Sequence, residues 1–297
     1  MSVPPDFIII GAMKCATSTL HAQLAQQAGV FMTTPKEPNF FSDDEVYARG
    51  AEWYRSLFAG AAPAALRGES STHYTKRPTH PRTVERLLAY GAAPRLVYVM
   101  RDPIERLVSQ YVHEWTENRV RGSVDQAIDR LPRLVDYGRY AMQLAPWVEA
   151  MGRERILLCF FERLRDEPEA QLRRVCRFLG LPSEPAWAAD LERDNVSGER
   201  LRKSPVRDAI VNAPGLAAIR KRLVPRGVRS RAKRLWQMRL RPAPSPDTIR
   251  RLLEIYDEDL ARLGAWTGLE LTTERFALVA AQSDPDWIQT EAQAHAR

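Results

Sequence analysis

Asp6-Phe7-Ile8-Ile9-Ile10-Gly11-Ala12-Met13-Lys14-Cys15-Ala16-Thr17-Ser18-Thr19-Leu20 decides the fold. A continuous apolar run this close to a glycine turn needs cover on both faces, so residues 7–10 read as a buried parallel strand. The lysine and hydroxyl cluster that follow open a helix. Its apolar positions Leu20, Leu24, Ala25 and Ala28 recur at helical spacing until Gly29, and Thr17 or Ser18 is available as its cap. A strand that feeds a glycine turn and then a helix N-terminus makes an anion cradle, because the first amides of a helix have no intrahelical acceptor. The guest that suits it is a phosphate.

Outward from this unit the same grammar repeats. Leu96-Val97-Tyr98-Val99-Met100 is the clearest strand and ends abruptly in Arg101-Asp102-Pro103. Proline at the first helical position then starts a helix through Ser109 and Tyr111 towards Trp115. A further strand is expected at 156–160 and a strand end at 67–71. Helices are expected at 81–90, with Val84, Leu87 and Leu88 inward, and at 123–131, 137–151 and 167–179, with an amphipathic helix from Ile249 to Leu263. Pro35 and Pro38 keep residues 33–41 out of a helix, as an ordered loop carrying charges. Strands alternating with helices predict an α/β fold: a single domain whose central parallel β-sheet is flanked by helices. Such sheets bind ligands beyond the carboxyl ends of their strands, where Gly11, Ser70 and Arg101 would meet.

The 44 Lys and Arg residues exceed the 37 Asp and Glu residues, a formal charge of +7 that suits an anionic ligand or surface without choosing among them. Cys15, Cys159 and Cys176 stand at unrelated spacings, so neither a disulfide framework nor a zinc site is suggested. No apolar run approaches the roughly twenty residues needed to cross a bilayer. A cytoplasmic protein is the default expectation. Between Arg200 and Arg241 the basic residues make up about a third of the chain's 44, with only Asp208 against them. Three readings of that stretch stay open: a solvated helical face, a cradle for an anionic or lipid-linked glycan, and a helix in peripheral contact with a membrane surface.

Lys14 lies three residues after Gly11 and follows Met13, whereas an ATP-binding P-loop needs glycine immediately before its lysine. The arrangement G-x-x-K-x-x-T-S/T instead resembles the phosphosulfate loop of sulfotransferases, which move a sulfuryl group from 3′-phosphoadenosine-5′-phosphosulfate (PAPS) to an acceptor. The resemblance implies a P-loop-like, PAPS-binding strand-loop-helix in which Lys14 neutralises charge on the bridging oxygen. Cys15, Ala16, Thr17, Ser18 and Thr19 would line the 5′-phosphosulfate. The family usually has glycine where Ala16 stands. Arg101-Asp102-Pro103, with Arg106, Ser109 and Tyr111, resembles the family's 3′-phosphate motif, which implies that Arg101 and Ser109 grip that phosphate. Guanidinium binds phosphate oxygens bidentately, and a helix start adds its positive end.

Lys36-Glu37-Pro38-Asn39-Phe40-Phe41 resembles the K-E-P-x-F-F segment of heparan-sulfate-type sulfotransferases, in which the glutamate takes the acceptor's proton. A sugar hydroxyl is a poor nucleophile and needs such a base, so Glu37 joins Lys14 as a candidate catalytic residue. Lys36 stays open between a phosphosulfate contact and a surface charge. Glu69-Ser70-Ser71-Thr72-His73-Tyr74 stands where the family has G-E-K-S-x-x-Y, with Ser70 in place of the lysine and Lys76, Arg77 or Arg202 as possible substitutes. His73 is an acceptor contact or rival base. His113 matches a histidine of the N-sulfotransferases and is a second acceptor contact. Gly198, Arg200 and Arg202 occupy the place of a glycine- and arginine-containing loop over the nucleotide.

The resulting expectation is one sulfotransferase domain over 1–297. Its core covers about 6–200 and 246–263, with a basic helical insertion at 200–245 and a C-terminal tail at 264–297. The donor is PAPS, leaving 3′-phosphoadenosine-5′-phosphate (PAP), with no metal and no nucleic-acid partner. The acceptor is a hydroxyl or amine of a carbohydrate, with a natural product or lipid as the runner-up. A P-loop kinase or NTPase and a non-catalytic anionic-glycan binder are the rival classes.

Overall fold

The computed structural model describes residues 4–182, 184–191 and 241–288. Strands β1 (Phe7–Gly11), β2 (Val30–Met32), β3 (Leu66–Ser70), β4 (Arg95–Met100) and β5 (Ile156–Phe160) form one sheet in the order β2-β3-β1-β4-β5, parallel throughout. The chain works out to β2 and back to β3 on one side of β1, then crosses to β4 and β5 on the other. That reversal opens a crevice at the carboxyl ends of the central strands. Among the described residues, the helices of eight or more residues are α1 (Thr17–Ala25), α2 (Thr83–Tyr90), α3 (Pro103–Thr116), α4 (Tyr140–Met151), α5 (Pro168–Leu179) and α6 (Pro246–Thr267).

Continuous apolar runs became the doubly covered strands. Phe7, Ile8, Ile9 and Ile10 of β1 and Leu96, Val97, Tyr98, Val99 and Met100 of β4 are all buried. Each such side chain contributes about 1.5–3 kcal/mol of hydrophobic stabilisation. Gly11 is required where β1 leaves the sheet, because a Cβ there would collide with Thr75 Oγ1 and the Tyr98 ring.

Three sequence expectations are corrected. α2 turns Thr83, Arg86 and Leu87 inward, while Leu88, expected inside, is 50% exposed. Arg86 takes the inner position because its guanidinium donates to the carbonyls of Phe41 and Ser42. α4 starts at Tyr140 rather than 137, after a separate short helix Arg133–Asp136. Gly138 separates the two, where a Cβ would press within 3.1 Å of the Arg106 and Tyr256 side chains. The segment after residue 264, expected as a tail, returns to the core instead: Phe276 packs edge-on against Phe160 at 5.2 Å, and Trp287 Nε1 donates to Ile156 O at 2.6 Å. The expected insertion at 200–245 lies almost wholly outside the described residues.

Candidate active site

The loop from β1 to α1 is shaped for an anion. Lys14 and Ala16 both hold left-handed backbone, at φ 69° and 60°. The first helical bond runs from Leu20 N to Ala16 O. Ala16 is the N-cap and makes no side-chain cap, so neither Thr17 nor Ser18 closes the helix end. The amides of Thr17, Ser18 and Thr19 therefore have no intrahelical acceptor and carry the positive end of the helix dipole. Thr17 is buried in the first turn, Thr19 half-buried and Ser18 exposed. The Cys15 side chain is wholly buried, its thiol is pushed up to about 12 by that burial, and its amide donates to Ala12 O at 3.2 Å.

Lys14 is half-buried and makes no ion pair with another described residue. Burial, and then the Arg101 charge, lower its pKa, while Cys15 and Glu37 pull the other way. Lys14 thus stands within electrostatic reach of a cation at the end of β4 and a carboxylate in the loop after β2.

Arg101 leaves the end of β4 with its guanidinium over the Phe161 ring, 4.5 Å from the centroid, and Nη2 3.2 Å from Glu105 Oε2. Glu105 also pairs with Arg241, at the edge of the basic stretch. The N-terminus of α3 is not open in the way that of α1 is, because the Asp102 carboxylate accepts from Glu105 N at 2.8 Å. The expected contribution of that helix start to a phosphate is thus offset by its own cap. Glu105, Ser109 and His113 follow at four-residue spacing along one side of α3. His113 is held below its ordinary pKa by burial and then by the Lys14 charge, so that side borders the Lys14 loop. The remaining motif residues serve packing. Arg106 is fully buried and donates to Gln110 Oε1 and Leu134 O, and Tyr111 donates to Gly122 O.

Glu37 stands at the tip of the loop after β2. Phe40 and Phe41 anchor that loop: both are buried, and Phe40 stacks on Tyr54 at 4.5 Å. Glu37 N donates to Ser70 O at 2.9 Å, tying the loop to the end of β3. The Glu37 carboxylate accepts from Lys36 Nζ at 2.7 Å and from Thr72 Oγ1 at 3.2 Å. Burial pushes this carboxyl up, but the charge and hydrogen bond of Lys36, with Lys76 and His73 beyond, outweigh it and hold the group below the usual carboxylate range. Glu37 is therefore ionised at neutral pH and able to take a proton.

Of the three substitutes for the lysine missing at Ser70, Lys76 lies within electrostatic reach of Glu37, with its Nζ 5.9 Å from the centroid of the Tyr137 ring. It is 8% exposed, and burial lowers its pKa to about 8 against the charges of Glu37, Glu114 and Asp43. Arg77 is exposed, and Arg202 lies outside the described residues together with Gly198 and Arg200. His21 escaped sequence reasoning because a histidine on an amphipathic helix carries no motif. Its Nδ1 lies 2.9 Å from Ser70 Oγ, and burial, aided by Lys36, lowers its pKa to about 4, so the ring is neutral. His73 pairs with Asp43 at 2.8 Å. A separate hollow of about 460 Å³ opens at the amino ends of the strands, lined by Phe7, Leu66 and Arg95. It lies at the wrong end of the sheet for this chemistry, and Arg95 there is already bonded to Leu179 O.

The description "Sulfotransferase domain" belongs to the family whose pattern matches residues 4–264. Heparan sulfate glucosamine 3-O-sulfotransferase 3B1 of Mus musculus is 32% identical over 193 residues, 60% of this chain and 46% of that protein. Bifunctional heparan sulfate N-deacetylase/N-sulfotransferase 1 of Caenorhabditis elegans is 24% identical over 197 residues, 61% of this chain and 22% of that protein. The chain thus spans about half or less of the curated relatives it matches. Among solved structures, a sulfotransferase from Alicyclobacillus acidocaldarius superposes with a TM-score of 0.64 at 21% identity, covering 90% of this chain and 97% of that one. A mouse sulfotransferase complexed with PAP gives 0.51 at 15% identity, covering 88% and 85%. These two likenesses concern the fold.

Proposed function

Because this chain belongs to the sulfotransferase domain family, we propose that it transfers a sulfuryl group from PAPS to a hydroxyl or amine of a carbohydrate acceptor. The observation that supports this reading is that Lys14, just beyond the carboxyl end of β1, feels the charges of both Arg101 and Glu37. An in-line transfer needs three such groups: an anchor for the nucleotide, a cation at the leaving oxygen, and a base facing the attacking atom.

The open amides of Thr17, Ser18 and Thr19 hold the 5′-phosphosulfate, with Thr17 and Thr19 adding their hydroxyls. Arg101 and Ser109 hold the 3′-phosphate, with Gly198, Arg200 and Arg202 as further nucleotide contacts. The acceptor oxygen or nitrogen attacks sulfur as the bond to the phosphate oxygen breaks. Its proton passes to Glu37, and Lys14 compensates the charge that develops on departing PAP. Lys36, His73 and His113 contact the acceptor. The relatives named for heparan sulfate favour a glycan acceptor.

The test is incubation with labelled PAPS and a panel of glycans, scoring sulfuryl gain by mass. Transfer to a glycan with PAP release is the expected result. No transfer to any acceptor, together with no binding of PAP, overturns the proposal.

A further inference from the structure

Beside Glu37, three metal-ligating side chains from three separate segments converge. Asp43 ends the loop that carries Glu37, His73 belongs to the turn Thr72–Thr75 after β3, and His80 precedes α2. Asp43 Oδ1 lies 2.8 Å from His73 Nδ1 and 3.5 Å from His80 Nδ1, and one ligand atom from each residue falls within 4.8 Å of the others. The two imidazoles stack with centroids 4.6 Å apart and planes 18° from parallel.

Surrounding bonds hold Asp43 and His80 in place. Ser42 Oγ donates to Asp43 Oδ1 at 2.9 Å, and His80 N donates to Lys76 O at 3.0 Å. Thr83 Oγ1 donates to His80 O at 3.1 Å, and the buried Arg86 guanidinium donates to Ser42 O at 3.3 Å. Hydrogen bonding alone leaves His80 poorly used: at 3.5 Å its Nδ1 is too far for a good bond to Asp43, and the competing partner, Ser42 O, is at 3.3 Å. A cation needs donor atoms gathered from all three residues, and one from each lies within 4.8 Å of the others. Metal–ligand bonds of about 2.0–2.1 Å place tetrahedral ligand atoms about 3.3–3.5 Å apart. The contact between Asp43 and His80 already has that separation, and the contact between Asp43 and His73 must open by about half an ångström to reach it.

We propose that Asp43, His73 and His80 bind a zinc-class divalent ion, with water completing its coordination. Two imidazoles and one carboxylate suit zinc, cobalt or nickel, whereas calcium and magnesium prefer all-oxygen sets. The three residues are half-buried, which leaves room for the water. Thr72, next to His73, donates to Glu37, so the ion would clamp together the two segments that position that carboxylate.

The test is titration of the full-length, tag-free, metal-stripped chain with Co²⁺, read by visible absorption, followed by Zn²⁺ competition. The expected result is one Co²⁺ per chain with nitrogen- and oxygen-ligand bands, displaced by Zn²⁺. Affinity should fall at least tenfold in both His80→Ala and Asp43→Asn and hold in His113→Ala. Absence of saturable Co²⁺ binding by the wild-type chain overturns the proposal whatever the variants do. So does a thiolate charge-transfer band, which would assign the ion to the cysteines, or undiminished affinity in a folded His80→Ala or Asp43→Asn chain, with folding checked by circular dichroism.

Discussion

Lys36 Nζ donates to Glu37 Oε1 across 2.7 Å, so the carboxylate proposed as base is already paired with the residue before it in the chain. Burial raises the Glu37 pKa, and Lys36 is the largest influence lowering it. Glu37 must be ionised to accept a proton, so activity should be lost as pH falls through its depressed pKa. In Lys36→Met the burial contribution is opposed only by more distant charges. The acid limb of the kcat profile should therefore move to higher pH. An unmoved limb would mean that Lys36 does not hold Glu37 ionised, whatever else the substitution does to turnover.

Glu37→Gln keeps the shape of the side chain and removes its basicity. Loss of a positioned general base costs about 10²–10⁴-fold in rate. Turnover should fall within that range while PAP affinity, measured by calorimetry, stays near wild type, because the nucleotide anchors stand on β1, α1, β4 and α3. Retained turnover would assign the base role elsewhere, to His73 only if no ion occupies it.

Arg101 presents a planar fork shelved on the Phe161 ring. Lysine in its place keeps the charge and loses bidentate bonding. One charge-assisted hydrogen bond contributes about 1.5–3 kcal/mol, so Arg101→Lys should weaken PAP binding about tenfold or more. Adenosine 5′-phosphate lacks the 3′-phosphate, and its affinity should be unchanged. Equal losses for both ligands would place Arg101 outside the 3′-phosphate site.

Lys76 loses its proton as pH rises through about 8. If its charge helps to hold an anionic acceptor beside Glu37, KM for that acceptor should climb above this pH. Arginine stays protonated throughout that range. In Lys76→Arg the rise in KM should disappear, and a profile identical to wild type would exclude Lys76 from acceptor binding.

The central strands were legible because β1 and β4 are unbroken apolar runs, and a strand buried on both faces has no other way to be written. Glu37 was legible for a different reason: the prolines mark an ordered loop, and the resemblance of Lys36–Phe41 to the family's K-E-P-x-F-F segment singled out the glutamate, whereas the anchoring of that loop by buried Phe40 and Phe41 is seen only in the fold. Asp102 illustrates the limit, since an aspartate before proline reads equally as part of a nucleotide motif and as a helix cap, and here it caps. Lys76 sits in a polar string that reads as surface, and its burial comes from the tertiary fold. Asp43, His73 and His80 lie too far apart in sequence to form a recognisable spacing. Glu105 carried no signal as the counter-ion of Arg101, because its role depends on the end of β4 meeting the first turn of α3.

Ala16 holds φ 60° and ψ 22°, left-handed backbone in which a Cβ crowds the following carbonyl. Glycine adopts that conformation without the clash. Replacing alanine by glycine usually weakens a helix interior, but Ala16 is the N-cap, outside the helical φ/ψ region, so that penalty does not apply. Relief of the clash should exceed the extra entropy of the unfolded glycine chain, and Ala16→Gly should stabilise the protein by about 1 kcal/mol. The measurement is the urea midpoint at unchanged slope. The substitution leaves the amides of Thr17, Ser18 and Thr19 without intrahelical acceptors, so PAP affinity should hold or rise. Ala16→Val tests the converse, since a β-branched residue is disfavoured at positive φ, and both stability and PAP binding should fall. A destabilised Ala16→Gly chain would show that the methyl contributes more by packing against the core than the backbone loses by strain.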